Sequence, residues 1–496
     1  MNHASGVLEA RLATAWSASD DGLTWTVMLR DGVQFSDGKP FTSADVVFTF
    51  RALYDPKVQS PLAEAVLVGG KPLMVRAMDP RTVMITFPQR HGGGLEILDG
   101  VPMLPEHRLA AALDAGTFAA AWSTTTPPSE IAGLGPFVIR DYAPGSRLVF
   151  DRNPRFWEKD AEGKPLPYLD GVDIRFVPDQ NAEALQLETG DVDLTTDFVS
   201  AESIASLSRS PRIRVVEVGA DPNPDSLWFN LSAATTAAKQ RPWLQQLEFR
   251  QAVSYAVDRQ AIADTVFLGA AVPIFGPITP GHGVWLSPAA PKTPFDAGKA
   301  RALLGSIGLR DRNGDGTVDD AAGKPIRFTV LTQAGHPGRE RTMTFVRDQL
   351  ARVGIGLDLV LVDPTTIRTR YGKRDFDTIY FGFVSSPDPT TWIDFWPSSG
   401  PFHTWNPGQE KPATPWEARI DALMQTISAT PDAAERRRLF AEVQTIFGEN
   451  LPMLYFVSST KHVAMSTRVQ GAEPSVFPPP VLWNAAKLRV TSAAGR

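Results

Sequence analysis

The sequence predicts a mixed α/β chain of two or three domains, and three observations carry that prediction. The chain has 496 residues, more than one hydrophobic core usually organises. Between residues 133 and 194 strand, helix and strand patterns alternate, the order of an α/β fold. The Thr/Pro/Ser-rich run Ser123 to Glu130 interrupts two periodic regions and marks a boundary. Hydrophobic residues make up 43% and charged residues 21%, ordinary for a globular protein. The net charge is −6 with no basic block, which excludes the clustered Lys/Arg footprint of a nucleic-acid partner. No run of eighteen apolar residues is present to cross a membrane as a helix. With no cysteine, disulfides, thiolate metal sites and cysteine nucleophiles are excluded.

The first element is the stretch Leu23 to Phe50. Leu23, Trp25, Val27 and Leu29 alternate with Thr24, Thr26, Met28 and Arg30, the period of a half-buried strand. Ser36 to Pro40 supplies turn chemistry, and Thr42-Ser43-Ala44-Asp45 reads as a capping box opening a helix over Val46 to Leu53. Two short strands follow between Pro72 and Pro88, then a helical stretch from Pro105 to Trp122. Past the boundary, Phe137 to Arg140, Arg147 to Asp151 and Asp173 to Val177 predict strands, and Asn181 to Thr189 a helix stopped by Gly190. Leu227 to Leu231 predicts an apolar strand, and Leu244 to Leu268 one long helix. Further on come a helix over Ala297 to Ile307, strands at Phe328 to Leu331, Leu357 to Val362 and Phe376 to Phe383, and a helix over Arg339 to Val353. Helices over Trp416 to Ile427 and Asp432 to Phe447 precede strands at Leu451 to Val457 and Lys461 to Met465.

The chemistry is sparse. The seven histidines form no HExxH or i,i+4 pair, which leaves a zinc enzyme without support. Gly305-Ser306-Ile307-Gly308 lacks the spacing of a nucleophile elbow, and no phosphate loop is present. A hydrolase would need a Ser or Asp within reach of His282, His336 or His403. Asp311 to Asp319 follows the start of a calcium loop, but its twelfth position is Ala322, where a bidentate acid belongs. It is either a solvated Asx-rich turn or a structural calcium loop with Asp311, Asn313, Asp315 and Asp319 as ligands. No other cofactor is implied. The aromatic density around Tyr380 to Trp405 either fills a core or presents stacking faces to a solute.

Six stretches, in chain order, resemble one family. They are LATAWSASDDGLTWTVMLRDGVQFSDGKPFTSADVVFTF, GLGPFVIRDYAPGSRLVFDRNPRFW, VPDQNAEALQLETGDVDL, FRQAVSYAVDRQAI, SSPDPTTW and LPMLYF. The chain resembles the extracellular solute-binding proteins of the peptide/nickel class, family 5, the capture components of bacterial ABC importers. The resemblance implies a two-lobe, type II periplasmic-binding-protein fold with an extra α+β subdomain. Residues 1–128 would be the accessory subdomain of the first lobe, 129–225 its core, 226–455 the second lobe and 456–496 a return to the first, with hinge crossings near Asp225 and Tyr455. Solute binding would close the lobes, and the permease subunits would read the closed form of a monomer.

The resemblance also places a solute, an oligopeptide or similar, at the turn Ser385 to Pro389. Peptide-binding members often carry an acid just before this turn to pair with the peptide amine. Ser385 and Ser386 stand there instead, and Asp388 is expected to shape the turn. A cationic amine is therefore less well supported than a neutral or blocked peptide or a sugar-like solute. The expected ligand contacts are Trp228, Phe383, Ser385, Asp388, Trp392 and Trp405. Family members work in the periplasm or at the cell surface behind a signal peptide. This chain begins directly at the opening subdomain, which suggests a truncated or misassigned start. The alternatives are a hydrolase acting in the interlobe cleft, and a sensor or chaperone using the same fold.

Overall fold

The stretch Leu23 to Phe50 folds as its residues dictate. In the computed structural model, which describes residues 8–233, 235–382, 386–392 and 394–491, strand Thr24–Leu29 lies between Ala13–Ala18 and Thr82–Thr86, with Met74–Asp79 outermost. Val27, Leu29, Val83 and Ile85 are buried with Val46, Phe50 and Leu53 of helix Ser43–Leu53, each such side chain contributing about 1.5–3 kcal/mol. The helix starts three residues earlier than Val46, because the cap is Thr42 itself. Its hydroxyl accepts from Ala44 N (3.3 Å), and Asp45 Oδ2 accepts from Thr42 N (2.8 Å), the reciprocal pair of a capping box. Asp45 Oδ1 also accepts from Glu106 N at 3.0 Å, so the same carboxylate ties down the start of the next helix.

The chain divides into two compact units. The first comprises Met1–Val216, Ala429–Pro431 and His462–Arg496, and the second Glu217–Ser428 and Asp432–Lys461. The passages at 216/217 and 461/462 lie outside Asp225 and Tyr455, where the sequence suggests hinges. The reason is that strands Asp225–Phe229 and Met453–Tyr455 pair with each other inside the second unit's sheet. Besides its opening sheet, the first unit holds the antiparallel strands Phe137–Ala143, Arg147–Arg152 and Gly171–Arg175. Helix Gln180–Thr189 begins at the Asp179 side-chain cap and ends at Gly190 with φ 84°, a left-handed turn that glycine enters without strain.

The second unit is built on a five-stranded sheet in the order Gly356–Val362, Arg327–Gln333, Thr378–Gly382, Asp225–Phe229, Met453–Tyr455. The first three strands are parallel and the last two pair antiparallel. Both faces are buried, as parallel sheets require. Leu227, Phe229, Phe328, Val330 and Tyr380 enter one hydrophobic cluster, while Trp228, Leu331, Ile379, Met453 and Tyr455 enter another. No helix among the described residues is long and apolar enough to cross a membrane.

The predicted helix over Leu244 to Leu268 is in fact three pieces: Pro242–Gln245, Leu247–Tyr255 and Arg259–Val266. Asp258 starts the last by accepting from Ala261 N at 3.0 Å. A buried guanidinium bridges the break: Arg259 donates to Ser254 O and Val257 O beside it, and to Ile274 O, Thr293 O and Tyr455 O of other segments. Arg250 likewise donates to Leu244 O, Gln245 O, Asn450 O and Leu451 O.

Candidate ligand-binding site

Open α/β sheets place ligands outside the carboxyl ends of their parallel strands. In the second unit that edge is formed by Gln333, Val362 and Gly382, and Asp225 pairs in register with Gly382. Arg339, in the first turn of helix Pro337–Ala351, organises the edge. Its Nε and Nη2 reach Asp225 Oδ1 at 3.0 and 2.9 Å, and Nη1 donates to Gln333 Oε1 at 2.6 Å. Its guanidinium lies 4.0 Å over the ring of Phe381, a cation–π contact. A Cβ at Gly382 would sit 2.6 Å from Asp225 Oδ1, so any larger residue there must push aside the carboxylate that Arg339 holds.

The turn leaving this edge is held from beneath. Asp388 caps the short helix Pro389–Thr391, its Oδ1 accepting from Thr390 N (2.9 Å) and Thr390 Oγ1 (2.5 Å). Oδ2 accepts from Arg436 Nη2 at 3.1 Å, with both side chains at least nine-tenths buried. Trp396 Nε1 donates to Pro389 O at 3.0 Å, fixing the turn to the aromatic core below.

Of the six expected contacts, Phe383 and Ser385 lie outside the described residues. Trp392 is half-buried beside the turn, edge-on to His282 (5.7 Å) and stacked with Trp396 (6.2 Å). Its Nε1 is buried and has no acceptor among the described residues. Trp228 packs edge-on against Phe381 (6.3 Å) and Tyr371 (6.1 Å), with only 4% of its surface exposed, and donates from Nε1 to Ser226 Oγ. Asp388 is spent on its turn and on Arg436. Trp405 is fully buried, with Nε1 on Glu417 Oε1 at 3.0 Å, so its ring is a core element with no face to offer in this conformation. From the sequence Asp225 stands out only as a hinge position, and Gln333 and Arg339 not as site residues; the sheet and the helix packed on it bring the three together.

Glu417 centres a second buried network. It accepts from Trp405 Nε1, from Ala413 N and Thr414 N, and pairs with His403 Nε2 at 3.2 Å. Burial alone would raise its pKa, but the hydrogen bonds from His403 and Trp405 outweigh it and hold the carboxyl at about 2. His282 accepts from Thr279 N in its own helix cap, and burial pushes it down to about 4. His336 caps the Pro337 helix through Arg339 N. The hydrogen-bond partners just given for these three histidines include no Ser or Asp.

The loop Asp311 to Asp319 is closed by its own backbone. Asp311 accepts from Gly314 N (2.7 Å) and Gly316 N (2.9 Å), Asn313 from Asp315 N, Asp315 from Thr317 N and Asp319 from Arg312 N. No group of three or more His, Asp or Glu side chains among the described residues is placed to hold a metal ion. As arranged, Asp311, Asn313, Asp315 and Asp319 share one loop and accept from its own backbone amides.

Comparison with known proteins agrees with this architecture. A "Probable ABC transporter-binding protein" of Deinococcus radiodurans is 27% identical over 95% of this chain and 83% of its own length. The "Probable D,D-dipeptide-binding periplasmic protein DdpA" of Escherichia coli is 28% identical over 94% of this chain and 82% of its own. Among solved structures, the ABC transporter substrate-binding protein CtaP of Listeria monocytogenes superposes with a TM-score of 0.78 at 24% identity, covering 97% of this chain and 90% of that one. It shares the mixed α/β, two-lobe type II periplasmic-binding fold. The profile of the bacterial extracellular solute-binding proteins, family 5, matches residues 7–404, and the chain belongs to that family.

Proposed function

We propose that this protein captures a small, uncharged, hydrogen-bonding solute at the carboxyl edge of the second unit's sheet and delivers it to the permease subunits of an ABC importer. It acts outside the cytoplasm, in the periplasm or at the cell surface, as a monomer and without catalysis. The observation that carries the choice of solute is the Asp388–Arg436 pair. The one acid at the turn is buried against a cation, and at the neighbouring edge Asp225 is likewise matched by Arg339. A site whose ionised groups are already paired gains little from a charged solute and charges it a desolvation cost. The buried Trp392 Nε1 supplies a donor for a carbonyl or hydroxyl, and Phe381, Trp228 and Trp392 supply apolar surface around it. An end-blocked peptide or an oligosaccharide meets that description.

The test is a thermal-shift screen followed by calorimetry on the full chain, comparing end-blocked dipeptides, free dipeptides (including D,D forms), oligosaccharides and metal chelates. A ligand that binds the folded state raises Tm by mass action, by about 2.7 kcal/mol of stability at a hundredfold excess over Kd. The expected result is a shift with a neutral solute. Preference for a free-amine peptide over its blocked form would overturn the choice of solute, and measurable turnover would overturn the binding role.

A further inference from the structure

The opposite edge of the same sheet holds a second feature that the solute reading does not use. A cavity of about 500 Å³ opens at the amino ends of strands Arg327–Gln333 and Thr378–Gly382, lined in part by Arg241, Arg370, Lys373, Arg374, Asp375 and Asp377. Strands of five to seven residues separate the two edges by roughly 20 Å. Four cations face two acids there, and the acids are already engaged. Asp377 Oδ1 takes Arg241 Nη1 at 3.1 Å, and its Oδ2 takes Thr329 N and Oγ1, each at 2.9 Å. Asp375 takes Arg370 Nε at 3.2 Å.

What is left over is a set of donors. Arg370 bonds only through Nε, to the carbonyl and carboxylate of Asp375, leaving both terminal nitrogens without a protein acceptor among the described residues. Arg374, held at φ 56°, donates from Nη2 to Gly408 O at 2.9 Å, leaving Nη1 and Nε. Arg241 uses Nε on Arg327 O and Nη1 on Asp377, leaving Nη2. Lys373 is exposed at the end of helix Pro364–Gly372; its backbone N–H caps that helix, and its ammonium has no hydrogen-bond or ion-pair partner among the described residues. Guanidinium forks match oxyanions with two parallel bonds, and an ammonium adds a point charge. The site is a concavity rather than a flat basic patch, the shape that takes a small molecule rather than an acidic chain.

We propose that this cavity is an ancillary binding site for a small anion with two or more acidic oxygens, of the phosphate or phosphate-ester class, independent of solute capture. Arg370, Arg374 and Lys373 would supply the new bonds while Arg241 remains the partner of Asp377. Because the cations are partly exposed, binding weakens as salt rises.

Calorimetry on the full chain at low ionic strength, with inorganic phosphate and inorganic pyrophosphate as probes, tests this. The expected result is one saturable site, tighter for pyrophosphate, whose affinity falls at least about tenfold in the R370Q/K373Q double variant, as expected for lost charge-assisted bonds. Lys373 is exposed and Arg370 is about a third exposed on its Asp375 pair, so the melting temperature without anion should fall only slightly; that measurement separates lost binding from lost folding. The W392F variant, altered at the solute edge, should keep anion affinity, so failure of the solute reading leaves this result intact. No saturable heat with either anion, an unchanged affinity in R370Q/K373Q, or binding of a polyglutamate peptide but of neither anion would overturn the assignment.

Discussion

Arg436 on helix Ala433–Asn450 donates to Asp388 across 3.1 Å, and neither side chain exposes more than a tenth of its surface. The bond ties the turn at the sheet's carboxyl edge to a helix 48 residues further along the chain. Removing one member of a buried pair leaves an uncompensated charge and costs about 3–5 kcal/mol, whereas removing both costs much less. The R436M variant should therefore unfold at markedly lower urea, and D388N/R436M should recover part of that loss. Equal midpoints for the single and double variants would show that the pair is uncoupled.

Trp392 separates packing from binding. A buried donor without a partner weakens the fold by about 1–3 kcal/mol relative to having none. W392F keeps a ring and deletes the N–H, so the unliganded protein should melt at the same temperature or slightly higher. Solute affinity should fall about tenfold, the worth of one hydrogen bond. A loss of melting temperature with unchanged affinity would assign Trp392 to the core alone.

Arg339 should not tolerate lysine. An ammonium cannot reach Asp225 and Gln333 together while lying flat on Phe381. R339K is expected to lose about 1–2 kcal/mol of stability and to weaken solute binding through the loosened edge. Calorimetry and urea melts on the same preparation read both effects.

Acid should loosen the second unit through Glu417. Its carboxyl titrates at about 2 in the fold instead of the usual 4.5, so the unfolded chain takes up the proton first. The resulting stability, about 3 kcal/mol, is fully present above pH 4.5 and is lost as pH falls toward 2. The E417Q variant should be less stable at pH 7 and show a flatter acid limb. Urea midpoints between pH 7 and pH 2.5 measure the difference.

Local signals were readable in the sequence wherever one side chain settles a backbone choice. Thr42 with Asp45 marks a helix start and Gly190 a helix stop, and both stand where the residues put them. The apolar period over Leu244 to Leu268 runs through Tyr255 and Asp258 unbroken, so periodicity predicts one helix there. Asp258 caps the last piece locally, while Arg259 braces the break on acceptors that include Thr293 and Tyr455, which no local window contains. Aromatic density alone does not separate the packed ring of Trp405 from the half-buried ring of Trp392. Asp225 and Arg339, 114 residues apart, became neighbours only through sheet pairing.

The two buried guanidiniums also set an order of events during synthesis. Arg250 finds one acceptor 201 residues later at Leu451, and Arg259 finds one 196 residues later at Tyr455. Until that segment leaves the ribosome, neither charge can enter the interior without unpaired donors, and strand Asp225–Phe229 lacks one neighbour. A nascent chain halted before Leu451 therefore carries most of the second unit's apolar residues with no way to complete its core. Long-range closure of this kind is slow and keeps the chain open, the condition in which a polypeptide can still be threaded or degraded. Nearly the whole chain must therefore be made before the second unit's sheet and its two buried guanidiniums are complete.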